Sequence, residues 1–269
     1  MNNIDIAKQT IKITAARCYD VGGETVQLPP HDFDYVEVYS PDDGAELLSE
    51  DISDWFDGDI CKISVTNKDS FQAAAELETP LVMNFANAHV AGGGFKLGAN
   101  AQEEALCRCS TLYASISSSK AAEMYRYNNT HLGMVESDYM LLSPEVCVFR
   151  SADCELLEKP FRAAVITVPA PNKRGAALLA GEKKIAETMT RRIRIMLRIA
   201  AKNKYKNLVL GAWGCGAFGN PPEKVSGYFR DVLVNEEYGR CFDKVCFAIY
   251  GSPDGKNISA FMKTFDNRQ

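Results

Sequence analysis

The sequence has no apolar run long enough to cross a bilayer and no regular cysteine framework. None of its 269 residues lies in an apolar stretch that approaches the ~20 residues of a membrane-spanning helix. The first residues show no basic flank followed by an apolar run, the pattern of an export signal. The nine cysteines are irregularly spaced, without C-x-x-C pairs. These absences predict a soluble protein of the reducing cytoplasm, with no metal site and no membrane contact.

An excess of positive charge is absent as well. The net charge of −5 argues against general binding to nucleic acid, which requires many phosphates to be neutralised by lysine and arginine. The basic segment 183–206 is a local exception, but its apolar residues recur at helical spacing. We interpret it as an amphipathic helix with a solvated basic face. The mononucleotide motif G-x-x-x-x-G-K-[ST] is also missing.

Short apolar, β-branched runs alternate with helix-length segments along the chain. The runs are 35–40, 61–66, 80–86, 163–170, 207–213 and 244–251. The helical patterns are 69–78, 102–118, 181–203, 221–236 and 256–266. This order predicts a single α/β domain over residues 1–269, with a sheet covered by helices on both faces.

Two segments depart from this alternation. Residues 1–30 are expected to form an N-terminal extension, with a helix from Ile4 to Cys18 followed by a Gly-Gly turn. Residues 119–160 are less regularly patterned, and we expect them to form an insertion of turns and short strands.

The stretch NFANAHVAGGGFKLGANAQEEALCRCSTLY begins at the end of the predicted strand 80–86 and combines a glycine triplet with a glutamate pair. Gly92, Gly93 and Gly94 can adopt positive φ and lack Cβ, so their N–H groups can approach a ligand closely. Glu103 and Glu104 lie in the first turn of a predicted helix, where the helix dipole favours carboxylates for structural reasons alone. Adjacent glutamates point in different directions, so one can bind sugar hydroxyls while the other acts on the bond to be cut.

The stretch LGAWGCGAFGNPP forms a second glycine-rich loop after an apolar strand. The backbone N–H groups of this loop suit a diphosphate. Phe218, the aromatic residue among the later glycines, suits a sugar or base. Ligands usually bind at the strand ends of covered sheets. Two such loops beside a carboxylate pair predict a cleft for a nucleotide diphosphate.

These two stretches, together with VITVPAPN at 165–172, resemble the bacterial-type poly(ADP-ribose) glycohydrolases, which are built on a macrodomain. The resemblance covers residues 10 to 250. It implies a three-layer α/β/α macrodomain-like mixed sheet and a glycosidase-type hydrolase that needs no cofactor and no metal. The implied substrate is poly(ADP-ribose) or another ADP-ribosylated macromolecule, with ADP-ribose as the product.

The resemblance also implies roles for individual residues. Glu104 would be the catalytic acid and base, and Glu103 and Asn87 would hold hydroxyls of the ribose whose anomeric bond is cut. Phe218 would lie against the distal ribose, in a loop that wraps the diphosphate. The implied ligand-binding positions are Asn87, Gly92, Gly93, Gly94, Gln102, Gly214, Cys215, Gly216, Ala217, Phe218, Gly219 and Asn220.

Alternatives remain open at this point. The same fold could remove a single ADP-ribose from a protein or nucleic acid, or could bind ADP-ribose without catalysis, although a binding module has no need of Glu104. A dehydrogenase is disfavoured by the glutamate pair on a helix. Cys215 is disfavoured as a nucleophile, because no histidine neighbours it in sequence. Asp69 is expected to cap a helix, with an adenine contact as the alternative.

Overall fold

The computed structural model describes residues 1–265 as a layered α/β structure. Its strands are β1 Cys18–Val21, β2 Glu24–Gln27, β3 Glu37–Tyr39, β4 Lys62–Thr66, β5 Pro80–Ala86, β6 Met140–Arg150, β7 Leu156–Pro169, β8 Asn207–Leu210 and β9 Lys244–Ala248. Its helices are α1 Asn3–Ala16, α2 Pro41–Ser49, α3 Ser70–Ala74, α4 Gln102–Cys109, α5 Leu112–Ile116, α6 Ala122–Thr130, α7 Glu182–Lys202, α8 Pro222–Arg230 and α9 Lys256–Phe265. No helix within this part of the chain is long and apolar enough to span a membrane.

The central sheet is mixed and has seven strands in the order β3-β6-β7-β5-β8-β9-β4. The strands from β7 to β4 in this order are mutually parallel, whereas β6 runs antiparallel to both of its neighbours. The carboxyl ends of the parallel strands therefore meet at one edge of the sheet. The loops after β4, β5, β7, β8 and β9 all leave from this edge, which we call the ligand edge.

Helices cover both faces of the sheet, as the alternation of runs predicts. One apolar cluster joins α7 and α8 to the sheet through residues such as Met196 and Phe229. A second cluster joins the opposite face to α4, α5 and α6 through residues such as Leu106, Leu112 and Met124. The three-layer mixed fold is confirmed.

The N-terminal helix is shorter than predicted. It begins at Asn3 and ends at Ala16, because Arg17 adopts a left-handed conformation with φ of 59°. Cys18 then starts the hairpin of β1 and β2, which the sequence patterning did not predict. The Gly-Gly turn was predicted correctly and closes this hairpin.

The prediction for residues 119–160 was wrong. This segment contains α6 and the eleven-residue strand β6, which pairs with β7 inside the central sheet. A register shift between Ser143 and Val146 places Pro144 and Glu145 within the strand. Proline and a charged residue break an apolar run, so the strand did not stand out in the sequence.

The continuous helix predicted over 102–118 is also wrong. Ser110 takes an extended conformation between α4 and α5 and forms an isolated bridge with Val148. Thr111 strengthens this link, because its N–H donates to the Cys147 carbonyl at 3.0 Å and its Oγ1 accepts from the Cys147 N–H at 3.0 Å. The pairing with β6 therefore interrupts the helix, and that long-range contact is invisible to a helical periodicity.

A buried arginine ties α7 to the ligand edge. The guanidinium of Arg192 is fully buried and pairs with Asp138 at 2.9 Å. It also donates to the carbonyls of Pro169 at 2.9 Å and Val135 at 2.6 Å. Pro169 is the last residue of β7, and Val135 precedes β6. Arg192 therefore fixes the chain where β7 ends and where it leads into β6.

We expect Asp138→Ala to lower the free energy of unfolding by about 3–5 kcal/mol, because it leaves a buried guanidinium without its counter-charge. A matched control is Glu236→Ala, which removes the bidentate partner of Arg194; both of these side chains are about one-third exposed and reached by water. That control should cost about 1 kcal/mol or less. Urea unfolding measures both; equal losses would contradict the role of the buried pair.

Candidate active site

The glycine triplet folds back over the first turn of α4. Gly92 and Gly93 have φ values of 69° and 53°, in the left-handed region that favours glycine. A Cβ on Gly93 would lie 2.5 Å from Glu104 Oε1 and 3.3 Å from Glu103 Oε2. Residue 93 must therefore be glycine. Both carboxylates converge on it, whereas the helical positions alone suggested that they point apart.

Glu104 is held by the backbone on both carboxylate oxygens. Its Oε1 accepts from the Gly94 N–H at 2.9 Å and its Oε2 from the Ala101 N–H at 3.0 Å. Ala101 is the N-cap of α4, so Glu104 also satisfies a free donor at the helix start. The side chain is only 7% exposed. Its orientation is thus fixed before any ligand binds.

Glu103 is buried still more deeply, at 3% exposure. Its Oε2 accepts from the Asn87 N–H at 2.9 Å and its Oε1 from Asn84 Nδ2 at 3.3 Å. Burial raises the pKa of Glu103 to about 8, opposed by these hydrogen bonds and supported by the charge of Glu104. Glu103 therefore keeps its proton at neutral pH, next to the carboxyl group of Glu104 beneath Gly93.

Asn87 organises the start of the glycine loop. Its Oδ1 accepts from the N–H groups of His89 at 2.8 Å and Val90 at 3.0 Å. Its Nδ2 donates to no acceptor within residues 1–265, so it is available to a ligand. His89 is fastened to α6 through Asn129, whose Nδ2 donates to the His89 carbonyl at 3.0 Å.

Gln102 is bonded to β5 and to α3 through its side-chain amide. Its Oε1 accepts from the Phe85 N–H at 2.9 Å, and its Nε2 donates to the Met83 carbonyl at 2.8 Å and to Ser70 Oγ at 3.0 Å. Both ends of the amide are engaged by protein atoms. In this structure Gln102 fastens α4 to β5 and so positions the neighbouring glutamates.

The second glycine loop, residues 211–220, presents unpaired backbone donors at the ligand edge. Gly214 and Gly219 both have φ of 72°, which curls the chain around its own N–H groups. Within residues 1–265, the N–H groups of Gly214, Gly216, Ala217 and Phe218 in this loop donate to no protein acceptor. Such a concave set of donors is suited to a diphosphate.

Asn220 closes this loop. Its side chain is buried, and its Nδ2 donates to the Pro171 carbonyl at 2.9 Å. Its N–H donates to the Gly214 carbonyl at 3.0 Å. Both bonds give Asn220 a structural role, because they tie the loop to itself and to the segment after β7.

The side chains of Cys215 and Phe218 pack partly against the apolar core. Burial raises the pKa of the Cys215 thiol to about 12, and its Sγ lies 3.7 Å from the Trp213 carbonyl oxygen. A neutral thiol is a poor nucleophile. Phe218 therefore contributes a free backbone donor and an aromatic edge, whereas the N–H of Cys215 is already bonded to the Ala212 carbonyl at 3.1 Å.

Residues 214–219 carry the G-x-G-x-x-G spacing, which by itself favours a dinucleotide-binding fold. In that fold the glycines open a helix, and an acidic residue at the end of the next strand binds a ribose. Here α8 begins only at Pro222, and β9 is followed by Ile249 and Tyr250. The loop is therefore a diphosphate-type cradle without the rest of the dinucleotide motif.

The comparisons with known proteins agree with this geometry. A family model for the catalytic domain of microbial-type PARG matches residues 7–151. The poly(ADP-ribose) glycohydrolase of Thermomonospora curvata is 34% identical, with 98% of this chain and 99% of that chain covered and a TM-score of 0.91. Its complex with the inhibitor ADP-HPD has 33% identity, the same coverage and a TM-score of 0.89.

The poly(ADP-ribose) glycohydrolase of Deinococcus radiodurans, solved with ADP-ribose, is 33% identical. The match covers 91% of this chain and 100% of that chain, with a TM-score of 0.83. A search of curated proteins gave no match. This chain belongs to the microbial-type poly(ADP-ribose) glycohydrolases. The resemblance noted in the sequence and the predicted enzyme class, a glycosidase-type hydrolase, are both confirmed.

Sequence reasoning missed two residues that support the carboxyl pair of this glycohydrolase and one exposed aromatic residue at the ligand edge. Asn84 lies inside the apolar strand β5 and bonds to Glu103, and a polar residue within a buried run was a usable signal. Arg108 is buried and donates to the Ala99 carbonyl at 2.6 Å, which holds the chain just before Ala101. Tyr250 is 74% exposed and lies two residues after the end of β9, at the ligand edge.

We expect the stability of this glycohydrolase to fall as pH rises from about 5 to 8, by at most about 1.4 kcal/mol per pH unit from Glu103. In this range the unfolded chain releases the Glu103 proton, whereas the folded protein, whose pKa for this group is about 8, retains it. Below this range both states are protonated, so Glu103 adds no further pH dependence.

Urea unfolding of Glu103→Gln across the same range should show a shallower slope than the wild type. Glu46→Gln, on an exposed position of α2, is the control and should keep the wild-type slope. Parallel curves for the wild type and Glu103→Gln would contradict the proposed protonation of Glu103.

Proposed function

We propose that this chain hydrolyses the ribose–ribose O-glycosidic bonds of poly(ADP-ribose) and releases ADP-ribose, with Glu104 as the general acid and base. The observation that carries the proposal is the placement of two buried carboxyl groups beneath Gly93, at the same edge of the sheet as the free donors of the second loop. Membership of the microbial-type glycohydrolase family supports the reaction.

The order of the strands suggests how the ligand lies. The carboxylate pair follows β5, the diphosphate cradle follows β8, and Tyr250 follows β9. Neighbouring strands are about 4.8 Å apart, so these three places follow one another as ribose, diphosphate and adenosine do in ADP-ribose. The exposed ring of Tyr250 offers a surface on which an adenine can stack. Asp69 caps α3 as predicted and leaves its Oδ2 without a partner among the described residues.

Glycosidic cleavage needs a proton on the departing oxygen as positive charge develops on the anomeric carbon. Glu104 gives this proton to the leaving ribose oxygen, and the carbon–oxygen bond breaks. A water then attacks the anomeric carbon, and Glu104 takes the proton that the water loses. Glu103, together with Asn87 Nδ2, holds the hydroxyls of the reacting ribose. The ligand's own diphosphate stabilises the cationic ribose.

The nine cysteines, all free thiols in the structure, support a location in the reducing cytoplasm. No observation favours a mono-ADP-ribosylated substrate or a purely binding role over the polymer. These remain outcomes of the experiment.

The decisive experiment compares the wild type with Glu104→Gln on poly(ADP-ribose), with release of ADP-ribose as the readout. We expect the variant to lose at least about a hundredfold in rate, because its amide cannot donate and accept the proton as a carboxyl group does. Calorimetry with ADP-ribose and urea unfolding are the controls, since the amide that replaces the carboxylate can accept only one of the two N–H bonds.

Retained release by Glu104→Gln would contradict its role as acid and base. If the wild type binds ADP-ribose without releasing it from the polymer, polymer hydrolysis fails. A parallel assay with a mono-ADP-ribosylated protein then separates a monomer hydrolase from a binding module.

Gly93 lies against both carboxylates, so its lack of a Cβ should be necessary for activity. Gly93→Ala should abolish most of the ADP-ribose release, because the added methyl group would overlap Glu104 Oε1 and strain a positive φ. Gly133→Ala is the control, since its Cβ would meet no atom within 4 Å. Rates measured on both variants test the point; a Gly93→Ala enzyme as active as Gly133→Ala would refute the claimed fit.

A further inference from the structure

The diphosphate cradle has only dipoles in its own loop, yet a diphosphate is negatively charged on both phosphates. A cation lies directly on this loop. A Cβ on Gly219 would be 3.0 Å from Arg174 Nε and 3.2 Å from Arg174 Cγ. The arginine side chain therefore runs across Gly219, the residue that follows Ala217 and Phe218 in the loop.

The chain around Arg174 is fixed to the cradle. The N–H of Lys173 donates to the Phe218 carbonyl at 3.0 Å, which joins the two segments. The N–H of Arg174 donates to Asn172 Oδ1 at 3.1 Å, forming a tight turn. Asn220 binds the Pro171 carbonyl from the other side. The position of the Arg174 backbone relative to the cradle is thus set by the bonds of Pro171 and Lys173, which precede it.

The guanidinium of Arg174 is free to meet an anion. Its neighbour Lys173 is already paired with Glu182 at 2.5 Å, and Glu182 also binds Lys224 at 2.7 Å. These two cations lower the pKa of Glu182 to about 2. Across residues 1–265, no carboxylate lies within ion-pair distance of Arg174.

We infer that Arg174 is a binding residue for the diphosphate group of the substrate, closing over the backbone cradle from the side of Gly219. The planar fork of an arginine matches two phosphate oxygens at once, which a lysine cannot do. The backbone donors then orient the diphosphate and Arg174 supplies its charge. This inference rests on the proposed function for the identity of the ligand as an ADP-ribosyl group.

The test is calorimetry with ADP-ribose on the full chain at low and high salt. Arg174→Gln should bind about tenfold more weakly than the wild type at low salt, because a charge-assisted hydrogen bond is lost. Much of the difference should disappear at high salt, since an exposed ion pair is screened. Arg174→Lys should recover part of the affinity, as it restores the charge without the fork.

Arg230→Gln is the matched control, an exposed arginine at the far end of α8. It should bind like the wild type. If Arg174→Gln binds ADP-ribose within about twofold of the wild type at low salt, the inference is overturned. A wild type that does not bind ADP-ribose overturns it as well, because the cradle itself is then wrong.

Failure of the proposed function would give a different combination of binding and release from failure of the Arg174 inference. A wild type that binds ADP-ribose, loses affinity in Arg174→Gln and yet releases nothing from poly(ADP-ribose) supports the role of Arg174 and refutes polymer hydrolysis. With active protein, Arg174→Gln should raise KM for the polymer more than it lowers kcat, because the diphosphate contact exists before and during bond cleavage.

Discussion

The close fit between Gly93 and two buried carboxyl groups is the constraint on which the site depends. The glycine has no Cβ and adopts positive φ, so the loop can cover Glu103 and Glu104 and still donate N–H groups to them. Burial of two acids without partners would be costly. Here Gly94, Ala101 and Asn87 supply backbone donors, which makes the burial tolerable and fixes both side chains.

The surrounding structure serves to hold this arrangement in place. Gln102 fixes α4 to β5, and Arg108 fixes the chain that leads into Ala101. Arg192 donates to the carbonyl of Pro169, the last residue of β7. Two residues later, the carbonyl of Pro171 accepts from Asn220 of the second glycine loop. The carboxyl pair and the diphosphate cradle are therefore connected through the rigid ligand edge of one sheet. Preorganisation of this kind lets the protein hold a charged ligand and a reacting bond in register.

Much of the site could be predicted from local sequence. Glycine triplets after apolar strands and glutamates at a helix start have local causes, so Gly93, Glu103 and Glu104 were recognised with their spacing. The roles of Gln102 and Asn220 were not, because whether an amide faces a ligand or the protein depends on partners such as Met83 and Pro171 that are distant in sequence. Strand β6 and the break before α5 were missed because both depend on pairing between residues that are distant in sequence. Pro144 also interrupts the apolar pattern of β6.

One bound ADP-ribose should span the carboxyl pair and the second glycine loop, and a crystal structure of the wild type with ADP-ribose would show whether it does. We expect the ribose whose anomeric bond is cut in the polymer to lie against Glu104. We expect the diphosphate oxygens to accept from the N–H groups of Gly214, Gly216, Ala217 and Phe218. A diphosphate bound away from these donors, or a ribose out of hydrogen-bonding reach of Glu104, would contradict this arrangement.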